Sequence, residues 1–479
     1  MLTFLYDALY SFRPIFSRHR TWLLFSMVVL GFIGATEMIG VTSFCRFWGL
    51  GESAFYSFLN FFHSNAYHLS ELIQHWTVFV LNQGNSIQFQ NRVVLLGDHT
   101  YVPKDGRKIP GVVTLHQHSE TQSKPSYFRG HCWGAIGLAI GSLSEAFAIP
   151  IALGIHQGHI HLGEENTSKT GNTLGVRIIQ MALDFSLNNK LSAVLVLDAF
   201  FPSASVFQYA HSIWSTETKK PFLTLIIRAK SNCVAYFKPN PKPNPKKRGR
   251  PLIYGAKIKL AELFDHPDFF SKIECSVYGK EEEVSFLVVD LLWRPIADTL
   301  RFILCVSSRG SIVLMCSDLE QDPKVALELY CMRTRIETLF DMLKNVMGAF
   351  RYRFWSVMMP SHSRSPKSNT LLKKASSTAA LNNVKRCWEA SERFVMMGAI
   401  ALGLLQIMSI KFHETIWKHY DGYLRTRSRI LPSERTVKRV IARLLLFDLM
   451  GSAKSAIMQI IKTTFFCKKA QTGHYSNSG

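Results

Sequence analysis

Three acidic residues and one cluster of basic and phenolic side chains carry the chemistry open to this chain. Between Tyr330 and Lys344 the sequence reads YCMRTRIETLFDMLK, a Y-x-x-R-x-x-x-E-x-x-x-x-x-x-K spacing. On a regular helix turning about 100° per residue, Tyr330, Arg333, Glu337 and Lys344 fall within an arc of roughly 60°. Met332, Ile336, Leu339 and Leu343 form a separate apolar stripe that can pack on a core. One carboxylate, two cations and a phenol therefore share one exposed edge. Such an edge suits a polyanionic substrate with a metal held beside it, and the DNA backbone fits. A solvated helix face of mixed charge is the plainer alternative.

Two further acids stand at the ends of apolar runs. Asp98 follows Val93-Val94-Leu95-Leu96, and Asp198 follows Val194-Leu195-Val196-Leu197. Short continuous runs rich in Val and Leu read as buried strands of an α/β sheet. With Glu337 from a helix, two strand-edge carboxylates offer the hard oxygen ligands that Mg²⁺ or Mn²⁺ takes. A pair of such ions can activate a water or 3′-hydroxyl and stabilise the leaving oxygen of a phosphodiester. The acids lie 100 (198 − 98) and 139 (337 − 198) residues apart, so an insertion is expected in the second interval. Plainer roles exist for each: Asp98 could cap the turn at His99, and Asp198 could simply end a strand. Asp341, one turn after Glu337, is its rival on the same edge.

The spacing at Tyr330, Arg333, Glu337 and Lys344 resembles the YREK signature of DDE transposases from bacterial insertion sequences, in the hairpin-forming subgroup. VVLLGDHTYVPKDGRKIPGV (Val93 to Val112) resembles the first-aspartate block of that family, and AVLVLDAFFPS (Ala193 to Ser203) the second. CSDLEQDPKVALELYCMR, ending at Arg333, resembles the lead-in to the glutamate helix. The likeness extends from about residue 20 to about residue 450. It implies a ribonuclease H-like fold with Asp98, Asp198 and Glu337 as catalytic acids that bind two Mg²⁺ or Mn²⁺ ions. Arg333 and Lys344 are then placed to hold phosphate oxygens, the first bidentately and the second as a point charge. Tyr330 would hydrogen-bond a phosphate near the cleaved end.

The reaction so implied nicks each transposon end and frees a 3′-hydroxyl. That hydroxyl attacks the opposite strand to form a hairpin, which is reopened before transfer into target DNA. The expected partners are transposon-end DNA with terminal inverted repeats, target DNA, and a second copy of the chain that pairs the ends and cleaves in trans. An aromatic ring is expected to stack on a flipped base, whether Trp293, Trp214 or another. The alternative within the same resemblance is a catalytically inactive, transposase-derived DNA-binding protein.

Composition agrees. The 479 residues are enough for two or three domains, and a 47% hydrophobic content can fill their cores. Lys and Arg number 56 against 34 acids, a net charge of +22 with pI ≈ 9.6, which favours nucleic acid or an anionic membrane surface. Nine scattered cysteines, never spaced C-x-x-C, point to a reducing compartment and away from a disulfide framework or zinc ribbon. The membrane reading rests on Arg18-His19-Arg20 followed by the uncharged run Thr21 to Thr36. That run falls short of the ~18 residues of a span, lacks a small-residue cleavage site, and is expected to be a core helix. Val395 to Ile410 is short in the same way. A cytoplasmic, nucleoid-associated protein without membrane contact is expected.

The elements that must position the acids follow from the same patterns. Residues 1–90 form a helical, aromatic-rich N-terminal domain expected to bind DNA. Within it, Ser43 to Phe62 reads as two helices broken at Gly49-Leu50-Gly51, either a helix-turn-helix or a plain helical hairpin. Residues 91–235 begin an α/β core, with a helix over Thr173 to Leu187 between strand-like runs. Residues 236–290 are a β-rich, basic insertion. Strands are expected at Val284 to Leu292 and Leu300 to Leu314, the latter within the second part of the core, 291–360, which ends with the signature helix. Residues 361–467 are a helical C-terminal region that opens on a Ser-, Lys- and Asn-rich loop, Ser361 to Asn383. Residues 468–479 are a tail.

The insertion contains KPNPKPNPKKRGRPLIYGAKIKL, Lys238 to Leu260. Its prolines block regular structure, and RGRP (Arg248 to Pro251) resembles an AT-hook core fitted to a narrow minor groove. Lys246, Lys247, Arg248 and Arg250 are therefore expected to contact phosphate, with a solvated basic loop as the alternative. Among the histidines, His116 with His118, His131 beside Cys132, and the trio His156, His159 and His161 have zinc-like spacings. No second thiolate pair matches them, and the resemblance implies a structural or DNA-proximal role for the HQHSETQSKPSYFRGHCWG segment. His99, beside Asp98, could touch the scissile phosphate or cap the strand end.

Overall fold

The apolar runs ahead of Asp98 and Asp198 form adjacent parallel strands at the heart of a mixed sheet. The computed structural model describes residues 1–116, 126–163, 172–216, 219–239, 252–363, 377–424, 430–451, 456–461 and 463–464. Five helices come first: α1 (Leu2–Ser11), α2 (His19–Gly34), α3 (Val41–Trp48), α4 (Glu52–Phe62) and α5 (Leu69–Leu81). Then come β1 (Gln88–Phe89), β2 (Arg92–Pro103), β3 (Val113–His116), β4 (Tyr127–Gly141), β5 (Ala146–Ile155), α6 (Leu174–Asn189), β6 (Ala193–Leu197), α7 (Ala204–Ala210) and β7 (Leu223–Arg228). The β-rich stretch holds β8 (Val234–Tyr236), β9 (Lys257–Lys259), β10 (Ser271–Val277), β11 (Lys280–Trp293), β12 (Asp298–Ser307) and β13 (Gly310–Cys316). Last are α8 (Pro323–Met332), α9 (Thr334–Asp341), α10 (Thr378–Lys411), α11 (His413–His419), α12 (Glu434–Met450) and α13 (Ala456–Ile461).

The class is mixed α/β. Thirteen strands join one mostly antiparallel sheet, ordered β3-β4-β2-β6-β7-β13-β12-β11-β8-β9, with β1 on β2, β5 on β4 and β10 on β11. Only β2–β6 and β6–β7 pair in parallel among the described strands. The parallel pairs need crossovers: α6 lies on the path from β2 to β6, and α7 on the path from β6 to β7. Arg92 fastens the start of β2. Its guanidinium donates to Asp318 Oδ2 at 2.7 Å and to Thr224 Oγ1 of β7 at 3.0 Å. The expected strand over Leu300 to Leu314 is two strands. The polar residues Ser307-Ser308-Arg309 turn the chain, and Gly310 takes the positive φ of 99° that the reversal requires.

One continuous buried cluster joins the N-terminal helices, the sheet and α10. In α2 every residue from Thr21 to Gly34 is buried, against α3, α10 and α12. The helices α3 and α4 meet at the Gly49-Leu50-Gly51 break, and α4 turns Phe58, Phe61 and Phe62 into the core. Helix α10 is long and apolar enough to cross a membrane by length and composition, yet 89% of its apolar window is buried inside the protein. It starts at Thr378 behind a Ser377 cap, so the last six residues of the expected loop Ser361 to Asn383 are helical. The basic residues Lys246, Lys247, Arg248 and Arg250 lie outside the described residues, as do His118 and the tail 468–479.

Candidate active site

Strand pairing sets the first two acids side by side. From Val93↔Ala193 to Leu96↔Val196 the parallel register holds a constant offset of 100. Continued by two residues, it brings Asp198, just past the end of β6, level with Asp98 on β2. Alternation along β2 puts Leu96, Asp98 and Thr100 on one face, and α9 packs against that strand.

Helix α9 delivers Glu337, and the residue at its start links the acids. Arg333 Nη1 donates to Asp98 Oδ2 at 3.2 Å, and its Nη2 donates to Glu337 Oε1 at 2.5 Å. Lys344 Nζ donates to Thr100 Oγ1 at 2.6 Å, on the same face as Asp98. Asp98, Arg333, Glu337 and Lys344 are thus brought to one edge. Tyr330 is not exposed on it; only 5% of its surface is open. The reason is that the signature segment is not one regular helix. It breaks at Arg333, whose N–H bonds Tyr330 O three residues back, and Met342–Val346 is a π-turn. Each irregularity alters the angular count, and Tyr330 is buried. Asp341 is directed elsewhere: it accepts from Asn345 Nδ2 at 2.6 Å and lies 3.9 Å from Arg435 Nη2 of α12.

The electrostatics mark the crowding of negative charge. Burial first, and the Asp198 charge second, push the Asp98 carboxyl up to about 7. Glu337 adds to this, while the His99 N–H and Arg333 oppose it. The backbone steadies both aspartates, since His99 N–H donates to Asp98 Oδ1 at 2.7 Å and Phe200 N–H to Asp198 Oδ1 at 2.8 Å. Three hard oxygen donors that repel one another in a half-buried edge suit a divalent cation. Among the described residues no group of three His, Cys, Asp or Glu side chains is drawn closely enough together to hold an ion. Between Asp98 and Glu337 it is the Arg333 guanidinium that lies.

Sequence reasoning missed a histidine brace behind this edge. His99 Nε2 and His156 Nδ1 are 2.9 Å apart, and the His99 ring stacks on Phe201 at 5.5 Å. Phe201 belongs to the turn that follows Asp198, so the ring joins the two aspartate-bearing segments. His156 reaches His99 by crossing β4 at Gly134, which pairs with both His99 and Gly154. A Cβ on Gly134 would stand 2.1 to 2.7 Å from three atoms of the His156 ring. The glycine is therefore the slot through which the two imidazoles meet. Burial holds both neutral, with His99 pushed down to about 3. The trio with zinc-like spacing takes three different partners: His156 bonds His99, His159 Nε2 bonds Arg177 Nη1 at 2.9 Å, and His161 Nδ1 accepts from Gly111 N–H at 2.9 Å. Gly134→Ala is expected to lower stability by about 1–3 kcal/mol, as small-to-large changes in packed interiors do. An unshifted urea midpoint would show that the slot is not needed.

Beyond the edge, Lys104 is buried at the end of β2 and donates to Phe350 O at 2.6 Å and Tyr352 O at 3.1 Å. It ties the strand of the first acid to the chain just after the signature. Of the two rings named for base stacking, Trp293 is 7% exposed and packs edge-on to Phe207, whereas Trp214 is 55% exposed. Phe200, two residues past Asp198, is 52% exposed. Compared with protein-family models the chain matches none, and no curated protein matches it.

Proposed function

We propose that this chain is a DDE transposase, cutting DNA at the ends of its own element and joining those ends to target DNA through a hairpin intermediate. The observation that supports the reading most is the meeting of Asp98 with Glu337 through Arg333, with Asp198 level on the adjoining parallel strand. A central strand with antiparallel neighbours on one side and parallel ones on the other supports a ribonuclease H-like core. Asp98, Asp198 and Glu337 would hold two Mg²⁺ or Mn²⁺ ions. When bound, these would supply an activated oxygen nucleophile and charge stabilisation at the leaving oxygen. Arg333 and Lys344 orient the scissile phosphate by its non-bridging oxygens. Tyr330, 5% exposed, would hydrogen-bond a phosphate near the cleaved end. A dimer pairing both ends, at work in the nucleoid, completes the proposal.

The test is cleavage of a duplex carrying the DNA that flanks the coding region, with Mg²⁺ or Mn²⁺. Nicks leaving 3′-hydroxyls at the element's ends, followed by hairpins, are the expected products. Tight binding of that duplex without any cutting would favour the inactive DNA-binding alternative.

The basic insertion makes a separate prediction. Engagement of Lys238, Lys242, Lys246, Lys247, Arg248 and Arg250 with phosphate gives a log–log salt slope on the order of −5 from this loop. Replacing Lys246, Lys247, Arg248 and Arg250 by Ala is expected to flatten the measured slope by about 3–4. A slope unchanged in the variant would remove the loop from the DNA interface.

A further inference from the structure

We propose that Arg333 stands where a divalent cation would otherwise lie, so that ions load fully only after a DNA phosphate draws the guanidinium off Asp98 and Glu337. This rests on the transposase reading of the site and adds an order of assembly to it.

The contacts are specific. The two arms of one guanidinium are divided between two of the acids, 3.2 Å from Asp98 Oδ2 and 2.5 Å from Glu337 Oε1. The Arg333 and Asp98 side chains are 13% and 18% exposed, so water does little to screen this pair, whereas Glu337 is 56% exposed. Each bond takes an oxygen that a cation would need. The remaining oxygens, Asp198 Oδ2 and Glu337 Oε2, carry no hydrogen bond from the described residues.

Charge counting gives the direction. Asp98, Asp198 and Glu337 carry three negative charges when ionised, and Arg333 returns one positive charge. Two divalent cations would bring four more, and a guanidinium wedged among them is repelled. The two non-bridging oxygens of a phosphate offer the planar Arg333 guanidinium an equally good bidentate partner. The phosphate that is to be cut thus removes the obstacle to its own cutting, and metal loading is weakened in the absence of DNA. Arg333 is then a positioning residue twice over. It keeps three like charges at one edge before DNA arrives and orients the phosphate afterwards.

The test is Mn²⁺ binding by calorimetry, without DNA, to the wild-type chain, Arg333→Gln, Arg333→Lys and Arg333→Gln/Glu337→Gln, with thermal melts to verify folding. Losing a charge-assisted contact to each acid is worth about tenfold or more in cation affinity. Arg333→Gln should therefore bind Mn²⁺ about tenfold tighter than wild type, and the double variant should lose that gain. Arg333→Lys, which keeps the charge but not the fork, should fall between, and it carries the test where Arg333→Gln does not fold. Adding the flanking-end duplex should raise the wild-type affinity towards that of Arg333→Gln. Equal Mn²⁺ affinity in wild type and both single variants overturns the ordering and leaves the metal-binding reading standing. Absence of Mn²⁺ binding in every protein, with and without duplex, overturns both.

Discussion

Glu337→Gln is expected to reduce divalent-dependent DNA cleavage on the order of 10³-fold while leaving the fold intact. The substitution is isosteric and removes only the charge and one oxygen donor for the cation. The side chain is 56% exposed, so no core contact is lost. Its ion pair with Arg333 is partly solvated, and its loss should change stability by about 1 kcal/mol or less. Affinity for the flanking-end duplex should therefore stay near that of the parent, while the single-turnover rate collapses. Asp341→Asn is the matched control. Asp341 bonds Asn345 and faces Arg435, so the cleavage rate should hold. A Glu337→Gln protein that cuts within tenfold of the parent would remove the third acid from the proposed chemistry. Loss of cutting in Asp341→Asn alone would transfer the role to that residue.

Acid should unfold the chain earlier than its carboxylates alone would predict. His99, His131 and His161 are held at about 3, by burial above all. In the unfolded chain the same imidazoles take up protons near pH 6.5. Their contribution to stability is thus complete above pH 6.5 and is lost as the pH falls towards 3. Asp98 and Glu392 work the other way. Burial raises each to about 7, so each favours the folded state increasingly as the pH falls from 7 towards 4. Three imidazoles outweigh two carboxyls over this range. With each pKa unit worth about 1.4 kcal/mol, the net loss from these five groups between pH 6.5 and pH 4 is on the order of 4 kcal/mol, and His156 and His159, also held down by burial, add to it. Denaturant midpoints measured across that range should fall steadily. A flat or rising midpoint would mean that the imidazoles take up protons without unfolding.

Parts of this architecture were legible residue by residue, and the reasons for the gaps are physical. Continuous apolar runs ahead of Asp98 and Asp198 can hardly be anything but buried strands, and both are. The Gly49-Leu50-Gly51 break was equally plain, since Gly49 takes a φ of 62° that closes α3. The turn at Ser307 to Gly310 was written in its polar residues but was overlooked beside the apolar run on each side. The exposure expected for Tyr330 failed because a helical wheel assumes an unbroken helix, whereas the signature segment is interrupted at Arg333, between Tyr330 and Glu337. The His99–His156 contact was the least readable. It joins residues 57 positions apart across an intervening strand, through a gap made by a missing side chain.

The constant pairing of β2 with β6 has an evolutionary and engineering consequence. The spacing between the two aspartates is held by backbone ladders, not by the hundred residues that separate them in the chain. Loops within that interval can lengthen or shorten freely, because nothing in the ladder registers their size. A deletion of one residue inside Ala193–Leu197 is another matter. It would draw Asp198 back by about 3.3 Å and swing its carboxylate to the opposite face of the sheet. Variation in this region is therefore tolerated between the strands and forbidden within them.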